Sequence, residues 1–195
     1  PGPYPVPDNV PIEGWPAYFE RAIEVPPTLE QVQRSTDPGD RHAIIVDPVN
    51  RIVYEFFVMR KSERGWMAAH ASIFDLKTNQ LRPQGWTSAD AAGLPIFPAV
   101  VRYDELQRGI VEHAMRVTVT KTRRGYVAPA THYASRHDNP EYPRMGERLR
   151  LKADCDTSSF SPEVKAILRG LQRSGMCVGE NGMEGDSAGA PAPGV

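Results

Sequence analysis

The sequence has no hydrophobic run of about 18 residues or more, so it predicts no segment that spans a bilayer. It also lacks an excess of either charge, because 23 lysines and arginines face 24 aspartates and glutamates. The isoelectric point is accordingly near 6.6. This balance provides no electrostatic attraction for nucleic acid or for an anionic membrane surface. We therefore expect neither nucleic acid nor membrane as a partner.

Familiar motifs for cofactors and catalysis are missing as well. The chain contains no GxxxxGK[ST], GxGxxG, HExxH or GxSxG sequence, and no pair of cysteines with zinc-ligand spacing. Their absence argues against most nucleotide-dependent, metalloprotease and serine-hydrolase functions. The sequence predicts no metal and no cofactor.

Cysteine is scarce, since only Cys155 and Cys177 occur. They enclose the strongest helix pattern in the chain, and a disulfide between them would contribute ~3 kcal/mol by constraining the unfolded chain. The alternative is two small buried hydrophobic side chains in a reducing compartment. High proline content and the lack of a CxxC motif favour the disulfide. We predict a Cys155–Cys177 bridge and a secreted, extracellular protein.

Proline and glycine are abundant, with 19 and 16 residues. They favour many short elements joined by constrained turns over a helical bundle. A chain of 195 residues is long enough for one domain with a full core. We predict a proline-rich N-terminal arm over 1–40, a single mostly-β domain over 41–182 and a flexible tail over 183–195. The start at Pro1, without methionine, predicts a processed or trimmed product.

The secondary-structure patterns favour strands. Ala43–Asp47 and residues 52–59 are β-branched and aromatic runs separated by a turn sequence, which predicts a β-hairpin. Ser161 at the N-cap and Pro162 at the first helical position predict a helix that ends at Gly175. Further extended segments are predicted over 65–76, 110–120, 126–135, 147–153 and 176–178. The fold class is α+β and mostly β, a sandwich or partly closed barrel with the C-terminal helix packed on the sheet.

Residues 81–105, LRPQGWTSADAAGLPIFPAVVRYDE, form the stretch richest in turn and polar residues. Its prolines and glycines exclude a long regular element. The spacing of Thr87 and Asp90 fits a capping box, which predicts a one-turn helix over 88–92. An ordered loop of this kind is more often functional than a random linker. We therefore place the candidate site around this central stretch.

Acidic and basic side chains near the central stretch are the catalytic candidates. Asp90 and Asp104 flank the loop, and glycoside hydrolysis uses two carboxyl groups roughly 5 to 10 Å apart. If the segments around His113 and His132 pair, both rings share a patch with Arg116. For each aspartate taken singly a structural role is the simpler explanation, Asp90 in a capping box and Asp104 in the first turn of a helix beside Arg102. A lone histidine is also usually structural. The catalytic candidates are Asp90, Asp104, His113 and His132.

Aromatic and cationic side chains supply the predicted substrate-binding residues. The flat face of Trp86 or Tyr126 suits the C–H surface of a sugar ring. Trp86 is expected to be exposed because it lies between Gly85 and Thr87 in a loop. Arg102 and Arg116 add positive charge. The cations of residues 147–153 could also hold an acidic polymer, although a solvated outer face is the simpler explanation.

Several blocks of the sequence resemble a group of secreted microbial proteins of uncharacterised function. The most specific block is LRPQGWTSADAAGLPIFPAVVRYD, and RHAIIVD, IVEHAMR, PATHYAS, MGERLRLKA and RSGM accompany it. The resemblance covers about residues 41–182. It implies export and a single fold, and it carries over no catalytic residues. The chain departs from the group after Gly182, where an aromatic strand would otherwise follow.

Together these features predict an extracellular protein that binds or cleaves a polysaccharide, as a hydrolase or lyase. The alternative is a structural subunit of an extracellular or cell-surface assembly without catalytic activity. In that case the arm and the tail would contact other copies of the chain. The two hypotheses differ in geometry, because a catalyst needs titratable side chains that converge on an open cleft.

Overall fold

A computed structural model describes residues 4–15 and 25–182 of the chain. The chain divides into two compact units, Pro1–Gln80 and Leu81–Val195. The boundary between these units lies after residue 80, whereas the sequence predicted a boundary between arm and domain after residue 40. The predicted tail over 183–195 lies outside the described residues. The central stretch thus begins where the second unit begins.

The first unit contains a three-stranded antiparallel sheet, formed in spatial order by β1 (Ala43–Asp47), β2 (Ile52–Phe57) and β5 (His70–Asp75). The predicted hairpin is confirmed: β1 pairs with β2. Asp47 closes the turn, where its Oδ1 accepts the backbone N–H groups of Val49 and Asn50 at 3.0 and 2.9 Å. These bonds lower the pKa of the Asp47 carboxyl, with the Asn50 N–H as the largest cause.

The predicted extended segment over 65–76 forms two strands, β4 (Gly65–Met67) and β5 (His70–Asp75). β4 pairs with β3 (Arg60–Ser62), while β5 pairs with β2. A short helix precedes the sheet, α1 (Leu29–Arg34), whose N-cap Thr28 accepts the N–H of Gln31.

The described part of the predicted arm belongs to the core of the first unit. Val10 and Ile12 are 2% and 1% exposed and pack with Ala43, Phe56 and Met59. The backbone around Val10 is also bonded, because Gln33 Nε2 donates to the carbonyl oxygens of Asp8 and Val10 at 2.9 Å each. An arm with such contacts is an integral part of the unit.

The second unit contains a mixed three-stranded sheet whose central strand comes last of the three in the chain. β8 (Met176–Asn181) runs parallel to β6 (Met115–Val119) and antiparallel to β7 (Arg148–Leu149). The helices are α2 (Tyr103–Arg108) and α3 (Pro162–Arg173), and Phe97–Ala99 forms a 3-10 turn. The parallel pair needs a long crossover, and the chain between β6 and β8 supplies it.

The helix α3 starts and stops as predicted. Ser161 Oγ accepts the Val164 N–H, Pro162 occupies the first turn, and Gly175 adopts a positive φ of 73°. Its most buried side, however, is formed by Ala166 and Gly170. The apolar side chains of the helix are only partly inserted: Ile167 and Leu171 pack on the core, whereas Val164 is 38% exposed.

Two predicted strands of the second unit are wrong or shorter than expected. Residues 126–135 form no strand, and only isolated bridges join Arg123 to His137 and Tyr126 to Met145. In 147–153 only Arg148 and Leu149 are paired. The cations there bind the end of α3, since Arg148 donates to the Ser174 carbonyl and Arg150 Nη2 to the Gln172 carbonyl at 2.6 Å. Carbonyls at a helix C-terminus attract positive charge.

The predicted α+β, mostly β class is confirmed, with the C-terminal helix packed against β6 and β8. The strands of the described residues form three small open sheets and no closed barrel. Among those residues no helix has the length and apolar character needed to cross a membrane.

Candidate functional site

The central stretch forms consecutive turns, so the predicted one-turn helix over 88–92 is wrong. The reason is local hydrogen bonding. Ser88 Oγ accepts the Asp90 N–H at 3.0 Å and donates to the Leu94 carbonyl at 2.6 Å. Asp90 Oδ1 accepts the Ala92 N–H at 2.9 Å. Serine and aspartate side chains that bind nearby backbone groups compete with a helix, and here they replace it.

Asp90 lies at the centre of a buried charge network. Its side chain is 0% exposed, and its Oδ2 accepts a hydrogen bond from Arg116 Nε on β6. Arg116 Nη2 lies 3.4 Å from Glu180 Oε2 on β8, and that same oxygen accepts the Ala91 N–H at 3.1 Å. One guanidinium therefore lies between two carboxylates, and together they attach the central stretch to both strands.

A β-bulge in β8 makes room for this network. Val117 pairs with Val178, but Thr118 pairs with Glu180, which leaves Gly179 as the extra residue. A Cβ at Gly179 would lie 2.6 Å from Asp90 Oδ2 and 2.9 Å from Arg116 Cγ. The Gly179 carbonyl also accepts the Ala92 N–H at 3.0 Å. The close approach of the loop to the sheet therefore requires glycine at this position.

The Asp90 carboxyl has its pKa raised to about 6, chiefly because burial disfavours the charged form. Arg116 lowers the pKa and Glu180 raises it again, so the cation does not fully compensate for the lost hydration. A sealed carboxyl of this kind cannot reach a glycosidic bond. Its observed contacts hold the loop in place.

A second charge cluster lies at α2, around Glu105. This carboxylate is 1% exposed, and it accepts the Arg102 N–H at 3.0 Å and the Arg102 Nη2 at 2.9 Å. His113 Nε2 lies 3.1 Å from Glu105 Oε2, and His113 Nδ1 lies 3.0 Å from the Ala114 carbonyl. Both ring nitrogens thus face acceptors within the protein. Arg102 and His113 fix the start of α2 and the approach to β6.

Asp104 lies on the exposed side of α2, where its carboxylate pairs with Arg108. The hydrogen bond from Arg108 lowers the pKa of the Asp104 carboxyl. Asp90 is buried and pairs with Arg116 instead. Among the described residues, no hydrogen bond or ion pair connects the two aspartates. The catalytic pair suggested by the sequence is not formed by these contacts.

His132 is the predicted catalytic residue whose geometry best suits a base. Its Nδ1 lies 2.8 Å from the Ala91 carbonyl, which can only accept, so Nδ1 carries the proton. Its Nε2 makes no hydrogen bond to any residue in the described ranges. The ring is partly exposed and stacks on Tyr133 with centroids 5.9 Å apart. A neutral histidine held in this way presents Nε2 as an acceptor.

Exposed aromatic rings lie next to His132 along the backbone. Trp86 is 58% exposed and Tyr133 is 39% exposed. Gly85 N donates to the Thr131 carbonyl at 2.7 Å, and Thr131 Oγ1 donates to the Trp86 carbonyl at 2.9 Å. These bonds place the Trp86 backbone beside the segment that carries His132 and Tyr133. We call Trp86, His132, Tyr133 and Tyr126 the aromatic surface.

The aromatic surface is held in shape by stacking and by a nearby cation. Tyr126 stacks on Tyr133 with ring centroids 6.2 Å apart and an interplanar angle of 21°. The Arg82 guanidinium carbon lies 5.5 Å from the centre of the Trp86 ring. Rings that are already ordered lose little freedom when a ligand packs on them.

The structure connects some of the predicted residues through the loop, but not by the predicted pairing of two strands. β6 pairs with β8, so the segment of His113 does not pair with that of His132. Arg116 and His132 instead bind neighbouring residues of the central stretch, Asp90 and Ala91. Gly179, Glu180 and Arg82 were not among the predicted residues, and Glu105 was not predicted as the partner of Arg102 and His113. Arg82 and Glu105 lie in the central stretch and so had a local signal, whereas Gly179 and Glu180 had none.

The predicted disulfide is wrong, because Cys155 and Cys177 are both free. Cys177 lies in the central strand β8, opposite Arg116 and Arg148. Cys155 is exposed, and its backbone carbonyl accepts a hydrogen bond from Gln172 Nε2. Burial raises the pKa of the Cys177 thiol. The described residues contain no group of three or more metal-ligating side chains placed to hold an ion.

Comparison with known proteins adds no relative: no family model, no curated protein and no solved structure matches this chain.

Proposed function

We propose that the protein is an extracellular polysaccharide-binding protein whose aromatic surface contacts the glycan. The main support is Trp86, a large ring that is 58% exposed in a loop otherwise fixed by hydrogen bonds. A ring exposed in a fixed loop offers a flat apolar face on which a sugar can pack without reordering the loop. The stacked rings of Tyr126 and Tyr133 add a second flat face to the aromatic surface. Secretion is part of the proposal and rests on the resemblance, because the cysteines are free.

Affinity electrophoresis tests the binding proposal. The protein is run through gels that contain xylan, dextran, polygalacturonate or methyl-esterified polygalacturonan, and retardation measures affinity. We expect at least one polymer to retard the protein, and Trp86→Ala to weaken that binding about tenfold, equivalent to ~1.4 kcal/mol.

The matched control is Phe160→Ala, which removes another exposed ring of the second unit, 46% exposed and outside the aromatic surface. This variant should be retarded like the parent protein. The proposal is overturned if no polymer retards the protein, or if Trp86→Ala migrates like the parent in every gel.

A cleaving activity is a second candidate, and His132 is the observation that favours it. Its Nδ1 is anchored on the Ala91 carbonyl, and its Nε2 makes no hydrogen bond to any other described residue. That geometry suits a general base. If cleavage occurs, polymer incubated with the protein gains reducing ends, and His132→Gln abolishes the gain at polymer concentrations that saturate binding. Equal activity of His132→Gln would exclude His132 as the base.

The assembly hypothesis receives less support from the arm. Tyr4 packs edge-on against Tyr54 and Phe56, and Val10 and Ile12 are buried in the same unit. These contacts are made within one chain, so these side chains are not displayed for a neighbour. Measurement of the oligomeric state by light scattering checks this alternative, and we expect no extended polymers.

A further inference from the structure

We infer that the glycan is an anionic polysaccharide, carrying carboxylate or sulfate groups, which lies along residues 131–137. This inference rests on the proposed function and adds the chemical class of the ligand. It is carried by cations placed beside aromatic rings at both ends of that segment.

One end of the segment carries Trp86 and Arg82. The Thr131 carbonyl and hydroxyl bind the backbone of residues 85 and 86, so Trp86 is adjacent to the start of the segment. The Arg82 guanidinium lies 5.5 Å from the Trp86 ring centre. A sugar that packs on the exposed part of this ring would have a guanidinium nearby. Guanidinium groups bind carboxylate and sulfate-like anions through charge-assisted hydrogen bonds.

The other end of the segment carries a second pairing of cation and ring. Lys121 Nζ lies 5.7 Å from the centre of the Tyr142 ring, and His137 meets the same ring edge-on at 5.6 Å. Arg124 N donates to the His137 carbonyl at 2.6 Å, which ties the 121–124 backbone to this end. Arg136 is exposed and forms no ion pair with any residue in the described part of the chain.

Local charge favours an anionic ligand more strongly than the net charge of the chain suggests. Residues 121–148 contain six lysines and arginines but three carboxylates. Glu147 lies between Arg144 and Arg123, and Asp138 pairs with Arg124. Lys121 and Arg136 have no carboxylate partner among the described residues. An anionic glycan would give both cations a carboxylate or sulfate partner, whereas a neutral glycan would not.

A ligand that meets the cations at both ends of the segment is a polymer and not a single sugar. Six residue steps separate Thr131 from His137, which is at most about 20 Å of extended chain. Tyr133 and His132 lie between the two cationic ends and can stack on the intervening sugars. Anionic groups repeated along a linear polymer would meet positive charge at both ends of this span.

Two matched polymer pairs test the inference: polygalacturonate with its methyl ester, and dextran sulfate with dextran. Each pair keeps the sugar backbone and changes only the charge. We expect the charged member of at least one pair to bind about tenfold more tightly at low salt, and this preference to shrink as salt screens the charges. The pair that shows the preference tells whether carboxylate or sulfate is recognised.

Variants with equal charge loss locate the site. Lys121→Gln with Arg136→Gln should reduce binding of the charged polymer about tenfold and leave neutral-polymer binding unchanged. Lys152→Gln with Lys165→Gln removes two cations elsewhere in the second unit. This double variant should bind the charged and the neutral polymer as the parent protein does. All four side chains lie at or near the surface, so folding should be kept, and circular dichroism checks this.

The outcomes separate this inference from the proposed function. Equal binding of charged and neutral polymers overturns the inference and leaves glycan binding intact. Equal losses in the two double variants also overturn it, since the effect would then be unspecific. A random DNA duplex that binds as tightly as the charged glycan overturns glycan recognition in favour of general polyanion binding. If none of the polymers binds, the proposed function itself fails.

Discussion

At the scale of the residue, Asp90 shows how far a local pattern can be interpreted. The sequence identified this aspartate as important because of its place in a turn-rich stretch. It could not identify Arg116 and Glu180 as its neighbours, since these residues are 26 and 90 positions away. A buried carboxylate needs partners, but which residues provide them depends on the sheet. The candidate residue was therefore predictable and its structural role was not.

The raised pKa of Asp90 predicts a pH effect on stability. Its folded pKa is about 6 and its unfolded value is near 3.8, so between these values the folded protein binds more protons. Its contribution to the free energy of unfolding therefore falls by about 2 kcal/mol as the pH rises from about 4 to about 6, out of a full loss of about 3 kcal/mol that is complete only above the folded pKa. Asp90→Asn should remove this dependence. Urea unfolding followed by Trp86 fluorescence, with Trp15→Phe and Trp66→Phe as background, measures it.

The control for this experiment is Asp104→Asn in the same background. The pKa of Asp104 is lowered by Arg108, so its contribution is present at higher pH and is lost only below the usual range of an aspartate. The Asp104→Asn variant should keep the parent slope between pH 4 and 6. Parallel curves for the parent and Asp90→Asn would contradict the explanation.

At the scale of the element, patterns with their own start and stop signals were reliable. The α3 helix has Ser161 and Pro162 at one end and Gly175 at the other, and the β1–β2 hairpin has Asp47 in its turn. The segment over 126–135, predicted to be extended, had no such start and stop signals. Its residues have strand propensity, but a strand also needs a partner, and β8 already pairs with β6 and β7. Strand propensity depends on context, and the context is absent from the local sequence.

Gly170 in α3 gives a prediction that runs against helix propensity. Replacing glycine by alanine inside a helix usually stabilises by roughly 0.5 to 1 kcal/mol. At Gly170, however, a Cβ would lie 2.7 Å from the Val111 carbonyl oxygen and 2.8 Å from Val111 Cβ. Overpacking of this kind costs about 1 to 3 kcal/mol, so Gly170→Ala should lower the stability of the second unit. The urea midpoint reported by Trp86 measures this.

Lys165→Ala, at a less buried position of the same helix, is the matched substitution. It should change the free energy of unfolding by less than about 0.5 kcal/mol. A higher midpoint for Gly170→Ala than for the parent would show that α3 can move away from Val111 at little cost.

At the scale of the whole molecule, composition predicted the fold class but not the division of the chain. Proline-rich residues near the N-terminus suggested a peripheral arm, yet Val10 and Ile12 are buried. Two apolar residues among prolines give no periodic pattern, so their burial has no local signature. The disulfide prediction was wrong for a similar reason. The spacing of Cys155 and Cys177 in the sequence allows a bridge, but the fold leaves both thiols free. Exposure of Trp86, in contrast, followed from its turn and was predicted.

The position of Ile12 allows a direct test of how the chain is divided. Ile12 is 1% exposed and packs with Phe56 and Met59, so Ile12→Ala should destabilise the first unit by about 2 to 4 kcal/mol. Hydrogen exchange of the amides in β1 and β2 should then accelerate about 30-fold or more. Val49→Ala, at a residue of the same unit that is 88% exposed, is the control and should leave exchange unchanged. If both variants exchange like the parent, residues 4–15 are a dispensable arm, as the sequence alone suggested, and the core of the first unit is complete without them.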